Sequence, residues 1–304
     1  MAHSRTDFKK QLQLGLNTVA GQAYKQIFEV WRQYMSVETE NRKAYVEDVM
    51  MSGFGAAAVK AEGAGVTYAS ASETFTARYV FETIALAFAI TEEAEEDGLY
   101  GSLGKKLARA LVRSYKHTIA TRVANVLNNG FTAGAYQIGD GQALFSASHP
   151  TKSGTNFSNL LTNAADLSET SLEDMSTQIS NTLDDQGIPV DLEMQALVIP
   201  TALRFTAHRL LNSTKRVETP NNDASAVYDL NLVKKGAMMD KRLTDTDAWF
   251  VTTDCPDGLK FIERKPYATK LEGDFQTGNM RYRIRGRSAQ GCTDPRGAFG
   301  TAGG

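Results

Sequence analysis

Large apolar residues recur along this chain with two different spacings. From residue 103 they fall at Leu103, Leu107, Leu111, Tyr115, Ile119, Val123, Val126 and Leu127, which is one stripe of an α-helix. Lys105, Lys106, Arg109, Arg113, Lys116 and Arg122 are assigned to the opposite face, and Asn128-Asn129-Gly130 supplies a stop signal. The spacing predicts a helix over 103–129, roughly 37 Å long. Upstream the period is two. Phe75, Tyr79 and Phe81 occupy odd positions, then Ile84, Leu86, Phe88 and Ile90 even ones. A change of phase within a strand calls for a bulge or a strong twist near Glu82. Small, flexible residues from Ser52 to Gly65 precede it. Together these features predict a long, twisted two-stranded loop that projects from the body. An isolated hairpin is marginal in water, so a projecting one needs a partner surface.

The remaining pattern is mixed. Over 7–50 the stripe of Leu12, Leu16, Val19, Ile27, Phe28, Trp31 and Tyr34 is too thin for an independent core. It reads either as an arm lying against another surface or as a first helix packed on its own domain. Thr91 followed by Glu92-Glu93-Ala94-Glu95-Glu96-Asp97 suits the N-cap and positive end of a helix, with glycines at 98, 101 and 104 breaking the chain before the main helix. Residues 131–166 are rich in loop signals. A helix capped by Ser168 is predicted over 168–186, with Leu172, Met175, Ile179 and Leu183 inward. A buried strand over 194–199 ends at Pro200, and a helix from 201 to about 211 carries Leu203, Phe205, Ala207 and Leu210. A strand at 249–252 completes an α/β lobe at about 131–256. Two last strands are expected at 259–263 and 280–287. In the second, Arg281, Arg283, Arg285 and Arg287 share one face, with Tyr282 and Ile284 on the other.

Composition narrows the function. The 304 residues are 42% hydrophobic and 22% charged, ordinary for a folded chain with a full core. The 33 basic and 35 acidic residues give a net charge of -2, without the basic excess of a protein built to grip nucleic acid. The two cysteines, Cys255 and Cys292, are too few for a disulfide framework and lack metal-ligand spacing. The N-terminus has no apolar signal region and the apolar stretch 84–90 is too short to span a bilayer, so a soluble chain made in the cytoplasm is expected.

Candidate chemistry is thin. His149 lies near Ser146 and Ser148, but no oriented third group or nucleophile elbow accompanies it, and a turn held by side-chain hydrogen bonds is the favoured reading. His3, His117, His149 and His208 form no ligand pair. Asp245, Asp247, Asp254 and Asp257 lack cation-loop spacing, and Gly139-Asp140-Gly141 is followed by no Gly-Lys-Ser/Thr. No catalytic residue, cofactor or metal is expected.

Three stretches carry a family resemblance through their order and spacing. They are Ala89-Ile-Thr-Glu-Glu-Ala-Glu-Glu-Asp97 running into the long helix, Leu144-Phe-Ser-Ala-Ser-His-Pro150 with Ser158-Asn-Leu-Leu161, and Asp247-Ala-Trp-Phe-Val-Thr-Thr-Asp254 leading to Leu259-Lys-Phe-Ile262 and the arginine strand. In these the chain resembles the major capsid (head) proteins of tailed bacteriophages with the HK97-type fold, in particular the Mu-type head subunits. The resemblance implies an α+β fold: an N-terminal arm at 1–50, an extended loop (E-loop) at 51–88, a peripheral domain with a spine helix at 89–130, an α/β axial domain at 131–256, and return strands with a C-terminal tail at 257–304. It implies a structural subunit of the virion that forms hexamers and pentamers in the host cytoplasm. The icosahedral shell would enclose double-stranded DNA without sequence specificity and would contact no membrane.

Further partners implied are a portal, decoration proteins and a separate scaffolding protein. Many relatives carry a long N-terminal scaffold segment or a prohead protease site. Only about 50 residues precede the loop, so little or no N-terminal processing is expected. Contacts between subunits are expected at Trp31, Phe54, Lys60, Tyr68, Phe75, Arg78, Arg281, Arg283, Arg285 and Arg287; for the arginines, assembly contacts are favoured over packaged DNA. Some members cross-link a loop lysine to a neighbour's asparagine. Lys60 lies in the corresponding loop, whereas the asparagine and its carboxylate base are not assignable. One alternative is an encapsulin-like nanocompartment shell with a protein cargo. Another is a soluble α/β enzyme, which would need a clustered polar site in the 131–256 lobe.

Overall fold

The computed structural model describes residues 5–40, 42–91, 100–134, 138–216, 223–274 and 278–304. The helical stripe forms α2 (Tyr100–Asn128), which packs with α1 (Arg5–Gln26). Leu16, Ala20 and Ala23 of α1 and Leu111, Tyr115, Ile119 and Val123 of α2 share one core. That core is closed by a four-stranded sheet in the order β1 (Ser36–Thr39), β8 (Leu259–Gly273), β9 (Met280–Cys292) and β4 (Glu82–Ile90). β1 runs parallel to β8 and the other pairs are antiparallel. Tyr282 and Ile284 of β9 face the helices. Gly286 lets α2 approach closely, because a Cβ there would lie 1.9 Å from the Tyr115 hydroxyl.

A second sheet has the order β10 (Ala298–Thr301), β7 (Trp249–Thr253), β5 (Met194–Ile199) and β6 (Ala237–Met239). It is covered on both faces. Ala196, Val198, Phe250 and Ala298 point into the first core. Leu197, Ile199, Trp249, Val251 and Phe299 point into another, with α3 (Glu169–Ser180), α4 (Arg204–Asn212) and α5 (Ala226–Asp229). Burial on both faces explains why β5 and β7 read as continuous apolar runs. Ser168 caps α3 as expected: its hydroxyl accepts from the Ser171 backbone N–H while Ser171 returns the bond.

Three expectations need correction. The helix predicted to reach residue 186 ends at Ser180, and Leu183 is exposed. The Asp184 carboxylate accepts from the Gln186 and Ile188 backbone N–H groups and Gly187 has φ 81°, so a tight turn replaces the last helical turn. The change of phase at Glu82 is not a bulge within one strand. β3 (Glu73–Val80) pairs with β2 (Tyr45–Met51), whereas β4 pairs with β9, so the chain changes sheet at Phe81. Lys116, assigned to the polar face, is buried. Its ammonium donates to the carbonyls of Tyr24 and Ile27 at 2.5 and 2.8 Å, satisfying free acceptors at the end of α1. Burial lowers its pKa, with Glu29 opposing the shift. The acidic run at 92–97 lies outside the described residues.

Candidate assembly surfaces

β2 and β3 form a separate antiparallel ribbon whose two faces differ. The inner face sets Val46, Ala77 and Tyr79 against Phe81, Ile262 and Ala289 of the body. The outer face leaves Tyr45, Val49, Met51 and Val80 exposed. Across it, the Arg78 guanidinium stands 4.1 Å over the Tyr45 ring and 3.8 Å from Glu47. Between the strands, residues 52–72 form no helix or strand, and Phe54, Val59, Val66 and Tyr68 lie in the open, Val59 at 102% and Tyr68 at 94% exposure. Covering a side chain of this kind is worth roughly 1.5–3 kcal/mol.

The base of the ribbon is fastened to the body by polar groups. The Ser52 N–H donates to the Ser72 carbonyl at 2.9 Å, closing the loop's neck. Gln186 donates to the Ser52 hydroxyl at 3.3 Å. Gly139 passes so close to Thr76 that a Cβ would meet its backbone at 2.6 Å. Asp48 lies 2.5 Å from the buried Lys260 ammonium, which also holds Asp257 at 2.7 Å. Burial alone would pull the Lys260 pKa down, but hydrogen bonds to Asp257 and Asp48 outweigh it and hold it above the ordinary lysine value. The Thr293 hydroxyl donates to Asp48 at 2.9 Å and sits 2.7 Å from the Tyr79 hydroxyl.

His149 is buried beside this base. Its Nδ1 lies 2.7 Å from Asp140 and its Nε2 3.2 Å from the Asn159 carbonyl oxygen. Asn159 in turn donates to the Leu144 and Ala298 carbonyls at 2.7 and 3.0 Å. An orienting carboxylate is therefore present, which sequence spacing did not reveal. The hydroxyls of Ser146 and Ser148 bond each other at 3.4 Å and not the imidazole, so the loop is a hydrogen-bonded turn. The four aspartates do not converge: Asp245 accepts from the Asp247 backbone, Asp254 from the Glu193 backbone, and Asp257 holds Lys260. Among the described residues no group of three or more His, Cys, Asp or Glu side chains is placed to hold a metal ion, and no helix is long and apolar enough to cross a membrane.

The arginine strand presents the expected alternation, with Arg281 and Arg283 exposed, Arg285 and Arg287 half-buried, and Tyr282 and Ile284 buried. On the same face stand Ala85, Ala87 and Ala89 of β4, opposite Arg285, Arg283 and Arg281, and Lys270 and Glu272 of β8. Arg281 pairs with Asp274 and Lys270 with Glu272.

Of the residues expected between subunits, Phe54, Lys60, Tyr68 and Arg78 lie exposed on the ribbon and its loop, and Phe75 is half-buried at its base. Trp31 is a correction. It is 1% exposed, 4.5 Å from Phe261 ring to ring, with Arg32 over its other side, because it fills the core beneath β8. Sequence reasoning missed Tyr45, Val49, Met51 and Val80. For Tyr45, Val49 and Met51 the signal was the alternation Tyr45-Val-Glu-Asp-Val49-Met-Met51, hidden within a segment read as arm.

The fold is thus a helix-and-sheet layer joined to an α/β lobe, with a two-stranded ribbon packed on the body by one face and exposed on the other. The chain superposes on the capsid of Myoviridae phage XM1 with TM-score 0.53 at 11% identity, covering 90% of each chain. It matches the procapsid of bacteriophage JBD30 with TM-score 0.52 at 16% identity, covering 98% of this chain and 76% of that one. The virus-like particle from Pyrococcus furiosus gives TM-score 0.51 at 9% identity, over 94% and 98%. These likenesses define the HK97-type fold. No curated protein matches by sequence. The phage capsid protein family matches residues 73–300, and the chain belongs to that family: it is a structural, shell-forming capsid protein of the virion.

Proposed function

We propose that copies of this chain assemble as hexamers and pentamers into an icosahedral shell that encloses the double-stranded DNA of a tailed phage. Assembly takes place in the host cytoplasm, around a separate scaffolding protein and a portal, with decoration proteins as further partners. The observation that carries the reading is the outer face of the ribbon with its open loop, whose large apolar residues are exposed among the described residues. Interfaces of obligate assemblies bury about 2,000–5,000 Å², and such an exposed apolar surface supplies contact area for one. Lys60 stands in the loop as a candidate for a cross-link to a neighbour, and the arginine face of β9 as a second contact surface.

The likeness to the Pyrococcus virus-like particle supports one rival, a nanocompartment shell with a protein cargo. Negative-stain microscopy of the protein expressed alone, and then with its neighbouring genes, tests the reading. Regular shells or hexameric capsomers are expected, with nuclease-protected DNA in shells made during phage growth. A uniform monomer under both conditions defeats the proposal, and shells holding only protein favour the rival.

A further inference from the structure

We propose that the exposed face of α2, with the groove it borders, is the surface that meets the phosphate backbone of the packaged duplex, and that the arginine face of the sheet is not. The inference rests on the reading of the shell as a DNA container and adds which side of the helix-and-sheet layer faces inward.

Among the 29 residues of α2 there is no Asp or Glu. Of its cations, Lys116 is taken up by the end of α1 and by Glu29, and Arg122 by Glu82. Lys105, Lys106, Arg109 and Arg113 remain exposed, and among the described residues none has a carboxylate within 4.0 Å. Residues 105, 109, 113 and 117 are four apart, so Lys105, Arg109, Arg113 and His117 make one row with a step of about 6 Å and a length of about 18 Å. Like charges at this spacing repel and cost a helix a few tenths of a kcal/mol per pair. An external anion offsets that cost. A duplex offers about one phosphate per 1.7 Å of axis, roughly ten along the row.

The surroundings fit a continuous polyanion. Ala110 and Ser114, between the cations, are exposed and short, so a backbone can approach closely. Beside the row runs a groove of about 810 Å³ lined by Phe28, Arg109, Arg113, His117 and Arg242. Its one carboxylate, Glu29, is already engaged by Arg32 at 2.7 Å and Lys116 at 3.5 Å. The opposite side of the layer differs in kind. There the arginines alternate with an alanine row, and Asp274 and Glu272 neutralise part of the charge. Such a face suits another protein.

The test measures binding of purified full-length subunits to a short random-sequence duplex over a range of salt. The parent is compared with R109Q/R113Q, with a second helix variant K105Q/K106Q, and with R283Q/R285Q on the sheet. Each helix variant is expected to reduce the slope of log K against log salt by about two, at close to 0.9 per phosphate contact, and to weaken low-salt binding about tenfold or more. The sheet variant is expected to bind like the parent. All these residues are exposed or half-buried, so circular dichroism and thermal midpoints should match the parent and certify folding. The inference is overturned if the parent does not bind, as when the chain's own run from Glu92 to Asp97 satisfies the row. It is also overturned if both helix variants bind like the parent, or if loss follows the sheet variant. Shells of the helix variants are scored in parallel. If the parent never forms shells, the container reading fails; if shells form and binding is unchanged, only this assignment fails.

Discussion

β7 and the loop at 52–72 are both marked by large apolar side chains, and they meet opposite fates. In β7, Trp249, Phe250 and Val251 are buried, shared between two cores on the two faces of one sheet. In the loop and its ribbon, Phe54, Val59, Val66, Tyr68, Met51 and Val80 are exposed. Apolar content alone therefore does not say where a segment is buried. β7 is stabilised within the chain, whereas the ribbon's outer face is left exposed and, on the proposed assembly, is covered when copies meet. The body should respond to substitution as a folded domain, and the ribbon as an interface.

The largest stability effect belongs to the body. Trp249→Ala should cost about 3–5 kcal/mol in urea unfolding, because a fully buried indole leaves a cavity. Removing the buried amide with Asn159→Ala strands the Leu144 and Ala298 carbonyls and the His149 ring, at roughly 2–3 kcal/mol by the same measurement.

Alkaline pH should weaken the body next. Burial raises the Tyr24 hydroxyl to about 12 and lifts Tyr34, Tyr79 and Tyr115 as well. A folded-state value above the unfolded one means stability is fully present below the ordinary tyrosine value near pH ~10 and is lost as pH rises through the folded values. Lys260, also raised, adds a loss of the same sign. Burial raises the Cys255 and Cys292 thiols too, so urea midpoints should begin to fall above about pH 8.5 and fall further beyond about pH 10; midpoints that rise there contradict the assignment.

The smallest stability effect belongs to the ribbon. M51E/V80E should change unfolding by no more than about 0.5 kcal/mol yet abolish particles. A loss of stability as large as that of Trp249→Ala would show that this face is covered within its own chain.

Much of the body was legible in sequence because period and burial coincide there: α2, the Ser168 cap, β5, β7 and the alternation on β9 are all local patterns. The departures arise where a distant partner decides. Lys116 sits at the polar edge of the stripe, and only the carbonyls of Tyr24 and Ile27 draw it inward. Trp31 belongs to a stripe too thin to announce a core, and Phe261 supplies the missing wall. The first strand of the ribbon was hidden because its alternation is half polar and its partner lies more than twenty residues on. The His149 site joins Asp140, His149 and Asn159 from a loop without any period. Phe54, Lys60 and Tyr68 of the loop were candidates through the family resemblance; their exposure came from the structure.

The most direct test of the central claim removes the loop and spares the body. Because Ser52 and Ser72 are already joined across the neck, residues 53–71 can be replaced by Asn-Gly, a two-residue hairpin turn. Under conditions where the parent forms shells, the shortened chain should be soluble and folded, with the parent's circular dichroism and urea midpoint, and should give no shells in negative-stain micrographs. Shells as regular as the parent's would contradict the claim and move the assembly contacts to the body.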